Sequence, residues 1–117
     1  MPRFADQVVL LSGAASGIGR AATLKFAAEG ANLLVTDVVA EGLEETVKAA
    51  GEAAAASGGR IESRLADVAD EAQANESIAA CVEVYGKLDT LCNNAGVIGY
   101  SETHTLSFAA WRRILGV

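Results

Sequence analysis

Ser12-Gly13-Ala14-Ala15-Ser16-Gly17-Ile18-Gly19 is the stretch whose residue types and spacing bear most directly on chemistry. It follows an apolar run, Val8 to Leu11, and opens a helical pattern. Glycines in the order Gly-x-x-x-Gly-x-Gly let a backbone turn with positive φ and approach a ligand with no Cβ in the way. The helix that follows leaves its first N–H groups without intrahelical partners, and its dipole places about half a positive charge there. A strand, a glycine turn and a helix start together favour a pyrophosphate. The first gap is wider than in Gly-x-Gly-x-x-Gly, which implies a longer loop before the helix. A glycine-rich turn with no ligand is the plainer reading. The strand before, the helix after and an acid downstream weigh against it.

That acid is Asp37, which closes a second apolar run, Asn32-Leu33-Leu34-Val35-Thr36-Asp37. Its distance from Gly19 fits a helix, a turn and a strand. A carboxylate at that strand end accepts hydrogen bonds from both hydroxyls of an adenosine ribose. It also repels a 2′-phosphate, by about 4 kcal/mol per charge pair at about 4 Å in an effective dielectric of about 20. No lysine or arginine adjoins it, since Val38 follows and Ser16 stands in the glycine loop. NAD is therefore expected over NADP. The competing reading of Asp37 is a solvated strand end or a cap for the next helix.

Two further groups sit at strand ends. In Asp67-Val68-Ala69-Asp70, Asp67 could accept a hydrogen bond from an adenine amino group, and Asp70 could cap the next helix. Capping alone would account equally well for both acids. Asn93-Asn94-Ala95-Gly96 follows another apolar stretch. Asparagine side chains both donate and accept, so they can tie neighbouring strand ends together. Ala95 and Gly96 leave room for a ribose, although Asn and Gly are also ordinary turn residues.

The elements that must position these groups alternate. Strands are expected over residues 7–12, 32–36, 61–65 and 90–93, and helices over 17–29, 40–56, 71–85 and from 107 onward. In the third helix Ala74, Ile78, Cys81, Val82 and Tyr85 share a face. The alternation predicts an α/β, Rossmann-type, doubly wound parallel sheet of strand order 3-2-1-4, with the chain ending after the fourth helix begins. Helices one and two would cover one face, and helices three and four the other. The switch point falls between strands one and four, where a nucleotide is expected.

Length and composition narrow the classes. The chain has 117 residues, one domain's worth, and is 51% hydrophobic, enough for a core. Its net charge of −6 and lack of a basic patch argue against a nucleic-acid surface. No apolar run reaches a membrane span, and the first residues do not form a signal peptide, so a soluble cytoplasmic protein is expected. Cys81 and Cys92 lack a Cys-x-x-Cys spacing and read as small buried hydrophobes in a reducing cytosol.

Together these motifs resemble the short-chain dehydrogenase/reductase family over essentially the whole chain. Gly13, Gly17 and Gly19 match its Thr-Gly-x-x-x-Gly-x-Gly loop, with Ser12 keeping the threonine hydroxyl. Asp37 matches the acid that selects NAD, Asp67 and Val68 the adenine-contacting pair, and Asn93 to Gly96 the Asn-Asn-Ala-Gly signature. Trp111 and Ile114-Leu115-Gly116-Val117 look like its fourth helix. The resemblance implies NAD as cofactor, bound by Ser12, Gly13, Ser16, Gly17, Ile18, Gly19, Asp37, Asp67, Val68, Asn93, Asn94, Ala95 and Gly96.

It also implies hydride transfer between NAD(H) and an alcohol or carbonyl in the full-length enzyme. The family's catalytic asparagine would fall just past Val117, and its serine and Tyr-x-x-x-Lys pair later still. Tyr85 is followed by Gly86-Lys87, and Tyr100 has His104 four residues on, so neither replaces that pair. His104 is the only histidine and is expected on a surface loop. Residues 1–117 are thus expected to form the NAD-binding part of such an enzyme, with no catalytic or metal-ligating residues, and to be inactive alone. The alternatives are a non-catalytic NAD-binding module or an interaction protein. Strand four would be an open edge beside uncovered apolar helix faces, which predicts a homodimer or larger assembly, or else an unstable fragment.

Overall fold

Val8 to Leu11 is an unbroken run of long or β-branched apolar side chains, the pattern of a strand buried on both faces. It forms β1 (Val8–Ser12), in which every residue is buried. The computed structural model describes residues 2–97 and 102–117. There β1 is followed by α1 (Gly17–Ala28), β2 (Asn32–Asp37), α2 (Ala40–Ser57), β3 (Arg60–Leu65), α3 (Glu71–Tyr85) and β4 (Thr90–Cys92). A 3-10 turn (Thr103–Thr105) and α4 (Phe108–Gly116) come last. The sheet is parallel with order β3-β2-β1-β4, as the alternation predicts. Leu10 lies level with Leu34 on one side and Leu91 on the other.

Side chains alternate across the sheet and build two cores. Val9, Leu11, Leu33 and Val35 point to one face, where they meet Ala27, Leu43, Ala50 and Ala54 of α1 and α2. The small alanines let both helices lie close to the sheet and to each other. Val8, Leu10 and Leu34 point to the other face and meet Cys81, with Tyr85 and Leu88 packed against them. The Tyr85 hydroxyl donates to the Leu33 carbonyl at 2.7 Å, which fixes α3 on the sheet. Asp70 caps α3 as expected, accepting from the Gln73 N–H at 3.2 Å.

Most elements differ from the sequence reading by one residue at an end, and α4 differs in its packing. β4 stops at Cys92, one residue early, because the Asn94 N–H turns back to the Cys92 carbonyl at 3.0 Å. β2 runs one residue further and takes in Asp37. Helix α4, expected on the same face as α3, buries none of its residues, and Phe108, Trp111 and Leu115 are exposed. Ahead of β1, Phe4 packs edge-to-face on Phe26 with ring centres 5.0 Å apart, and the Arg3 N–H donates to Glu29 at 3.0 Å. No helix among the described residues is long and apolar enough to cross a membrane.

Candidate functional site

The carboxyl ends of β1, β2 and β4 open onto one cleft of about 700 Å³. In a doubly wound sheet this is where the chain leaves β1 and β4 in opposite directions, so no helix fills the gap. The cleft is lined by Gly13, Ser16, Gly17, Ile18 and Gly19 from the loop and the start of α1, and by Asp37 from β2. Asp67 and Val68 after β3 and Asn94, Ala95 and Gly96 after β4 also line it, so all of the predicted set but Ser12 and Asn93 meets there. Residues that are far apart in sequence therefore share one cavity.

The glycine loop owes its path to its glycines. Gly13 has φ +74°, and a Cβ there would lie 2.8 Å from the Ala95 Cα, a backbone atom that cannot swing away. A Cβ at Gly19 would run into the Gly13 carbonyl. These two positions let the loop fold under the start of α1 and against the Asn94-Ala95 turn. Ser16, the N-cap residue, is extended and makes no side-chain cap, and the first turn of α1 has no acid. The positive end of α1 is thus left to whatever enters the cleft.

Asn94 performs the tying role expected of it. Its Nδ2 donates to the Gly13 carbonyl at 3.3 Å, and the Asn94 and Ala95 N–H groups both donate to the Ser12 hydroxyl at 3.2 Å. Ser12 is consequently buried beneath the cleft wall and does not line it. Its hydroxyl joins the ends of β1 and β4, so its contribution comes through the loop it holds. Asn93 is exposed and also lies outside the lining.

Asp37 reaches the cleft from the end of β2, but its carboxylate already has backbone partners. One oxygen accepts from the Ala15 N–H at 2.9 Å, and the other from the Val38 and Val39 N–H groups at 2.7 and 3.1 Å. A carboxylate has about four acceptor positions, so one remains for a ligand hydroxyl. Asp67 accepts from the Ala69 N–H at 2.9 Å and likewise keeps acceptor capacity. Asp37 and Asp67 are the charged residues of the lining, and among the described residues no lysine or arginine lines it.

Sequence reasoning passed over Thr36, Val38, Val39, Ala66 and Val117, all of which line the cleft. The available signal was the apolar pair Val38-Val39 directly after an acid at a strand end, where a polar turn is usual. Both valines are more than half exposed. Ile18, also in the lining, is 80% exposed, so three exposed apolar side chains border the cleft beside its two acids.

Other reactive groups lie away from this chemistry. Burial pushes the Cys81 thiol up to about 11 and raises that of Cys92, so both stay protonated at neutral pH. Cys81 is buried as expected, whereas Cys92 is half-buried. Burial, with the Glu62 carboxylate nearby, raises the Tyr85 hydroxyl to about 12. His104 is exposed, 3.3 Å from Glu102. Tyr100 lies outside the described residues.

Comparison with known proteins agrees with this layout. A family model for short chain dehydrogenases matches residues 7–117. Levodione reductase of Leifsonia aquatica is 44% identical over 108 residues, covering 92% of this chain and 39% of that protein. The 2-(R)-hydroxypropyl-CoM dehydrogenase of Xanthobacter autotrophicus is 39% identical over 115 residues, covering 96% of this chain and 45% of that protein. A crystal structure of levodione reductase superposes with a TM-score of 0.90 at 39% identity, covering 97% of this chain and 44% of that one. Carveol dehydrogenase from Mycobacterium avium in complex with NAD gives a TM-score of 0.86 at 27% identity, covering 99% of this chain and 45% of that one. The chain thus spans less than half the length of these relatives.

Proposed function

This chain belongs to the short-chain dehydrogenase family, and on that premise we propose that residues 1–117 form the NAD-binding part of an oxidoreductase acting on an alcohol or carbonyl. The observation that carries the proposal is a single cleft that joins the start of α1 to the Asp37 carboxylate. Gly17 supports the fit. It has φ +55°, and a Cβ there would meet no atom within 4 Å, so the space before the helix start belongs to the cleft. The volume of about 700 Å³ lies in the range of small-molecule sites.

In this reading the first-turn N–H groups of α1 receive the pyrophosphate, and Gly13, Ser16, Gly17, Ile18 and Gly19 form its cradle. The free acceptor position of Asp37 takes an adenosine ribose hydroxyl, while Val38 and Val68 flank the base and Asp67 takes its amino group. Ala95 and Gly96 leave room for a second ribose. Ser12 and Asn93 are binding residues only through the strand ends they shape. The NAD, when bound, supplies the hydride acceptor or donor. Tyr85 is committed to the Leu33 carbonyl and is not assigned to proton transfer.

The acidic end of the cleft, free of lysine and arginine among the described residues, supports NAD over NADP. Two free cysteines that stay protonated suit a reducing, cytoplasmic setting. The exposed apolar residues of β4 and α4 favour a homo-oligomer as part of the same reading.

Titration calorimetry with NAD and NADP tests the cofactor assignment. NAD is expected to bind at least about tenfold more tightly, the direction set by a carboxylate facing a 2′-phosphate. Equal affinities would remove the selectivity assigned to Asp37, and heat from neither would remove the cofactor reading.

A further inference from the structure

We propose that Arg20 is a positioning residue for the phosphate end of the cleft, acting through the Ala14-Ala15 segment of the glycine loop with Thr46 as its partner. The proposal rests on the dinucleotide reading above.

All four backbone polar groups of Ala14 and Ala15 have a partner. The Ala14 N–H donates to the Thr36 carbonyl at 3.1 Å, and the Ala15 N–H to Asp37 at 2.9 Å. The Ala14 carbonyl accepts from the Thr46 hydroxyl at 2.7 Å, and the Ala15 carbonyl from Arg20 Nη2 at 2.6 Å. β2 therefore holds the two N–H groups, while α2 and Arg20 hold the two carbonyls.

Arg20 stands directly after Gly19 in the first turn of α1. Besides Ala15, its guanidinium reaches the Thr46 hydroxyl at 2.9 Å, the Gly42 carbonyl at 3.0 Å and Glu45 at 3.1 Å. Nη2 faces three of these acceptors and Nε the fourth, so two nitrogens fixed in one plane serve the loop and a second helix together, an arrangement that the single nitrogen of an ammonium group does not reproduce. Thr46 is fully buried, so its hydroxyl must bond within the protein, and it does so on both sides. Gly42 makes the approach of α2 possible, since a Cβ there would lie 2.7 Å from the Ala15 carbonyl oxygen.

The consequence falls on the ligand side. Ala15 precedes Ser16, whose carbonyl accepts from the Arg20 N–H at 3.2 Å. The direction of the N–H groups at this turn follows from where Ala15 is held. Hydrogen bonds weaken steeply with angle, so an anion is gripped well only while that segment stays in place. Arg20 and Asp37 hold opposite ends of one residue, the first by its carbonyl and the second by its N–H.

The test compares R20M, which keeps the stem and loses the donors, with R20K, which keeps the charge and loses the fork. Amide hydrogen exchange is followed at Ala15 and at the core residues Leu10 and Leu34, and binding of ADP and of adenosine is titrated. In R20M, exchange at Ala15 speeds up by about tenfold while Leu10 and Leu34 are unchanged, and ADP binds about tenfold more weakly. Adenosine, without phosphates, changes by less than about twofold. R20K behaves like R20M at Ala15 and toward ADP.

Unchanged Ala15 exchange overturns the proposal. So does equal weakening of ADP and adenosine with faster exchange at Leu10 and Leu34, which is the mark of general destabilisation. If R20M does not fold, T46V removes the bond to the Ala14 carbonyl and is read the same way at Ala14. ADP bound equally by R20M and the unsubstituted chain overturns the positioning role and leaves the dinucleotide reading standing. An unsubstituted chain that binds no ADP overturns the dinucleotide reading, and with it the ligand side of the proposal.

Discussion

Asp37 shows how one side chain can serve the fold and the cleft together. Its two oxygens accept from three backbone N–H groups, of Ala15, Val38 and Val39. The same carboxylate is the cleft's acid beside the glycine loop. Replacing it therefore does more than relieve repulsion of a 2′-phosphate. Asp37→Ala leaves those N–H groups without their acceptor, at a cost of about 1–3 kcal/mol in stability. It is expected to weaken NAD binding and to bring NAD and NADP toward equal affinity. Urea unfolding measures the first effect and paired titrations the second. A variant that keeps full stability would show that the backbone bonds contribute little. One that keeps its preference for NAD would show that selectivity lies elsewhere. The acid's ligand role was legible from its place after an apolar run. Its grip on Ala15 was not, because those residues are 22 positions apart.

At the scale of elements, α1 and α2 seat apolar residues on the sheet, α3 seats Cys81 but leaves Ile78, Val82 and Val84 exposed, and β4 and α4 leave theirs open. Leu91 on β4 and Phe108, Trp111 and Leu115 on α4 are about half exposed or more. Positions 108, 111 and 115 recur at helical spacing, so they form one stripe. An apolar stripe and an unpaired strand edge each favour association with another chain. Light scattering after size exclusion is expected to show a dimer or larger species. Introducing charge in W111E together with L115E is expected to shift it toward monomer. A monomer at all concentrations for the unsubstituted chain would contradict the self-association reading. The strand and helix pattern was visible in the sequence because periods of two and of about 3.6 residues are local properties. An open β4 edge beside uncovered apolar helix faces was expected from the sequence, whereas how far each face is covered depends on packing between distant elements, and only the structure shows that α4 buries none of its residues.

For the whole molecule, acid stability turns on two carboxylates that tie distant parts of the chain. The Arg3 N–H and guanidinium hold Glu29 below its ordinary value, which fastens the N-terminal segment to the end of α1. The Val8 N–H and the Lys87 ammonium do the same for Asp89, which joins the start of β4 to the start of β1. For each group the folded value lies below the unfolded one. The stabilisation is therefore complete above the unfolded values of about 4 and is lost as pH falls through the lower folded values. Thermal midpoints are expected to be flat across neutral pH from these two groups and to drop below about pH 4. Asp89→Asn is expected to shift the midpoint down at neutral pH and to shrink that drop. An acid limb identical to that of the unsubstituted chain would mean that Asp89 is not part of it.

Taken by itself, the sequence determined the order of strands and helices, the parallel sheet and the membership of the cleft's floor. These follow from hydrophobic period, from glycines where a Cβ cannot fit, and from polar residues at strand ends. All are short-range features that each stretch carries with it. The tertiary structure alone decided that Ser12 would turn inward to join β1 and β4, that Asn93 would face away, and that Val38 and Val39 would wall the cleft. It alone brought Arg20, Gly42 and Thr46 around the Ala14-Ala15 segment. The physical reason is that a hydrogen bond between residues tens of positions apart leaves no period in the sequence. It exists only once the sheet has brought its helices together.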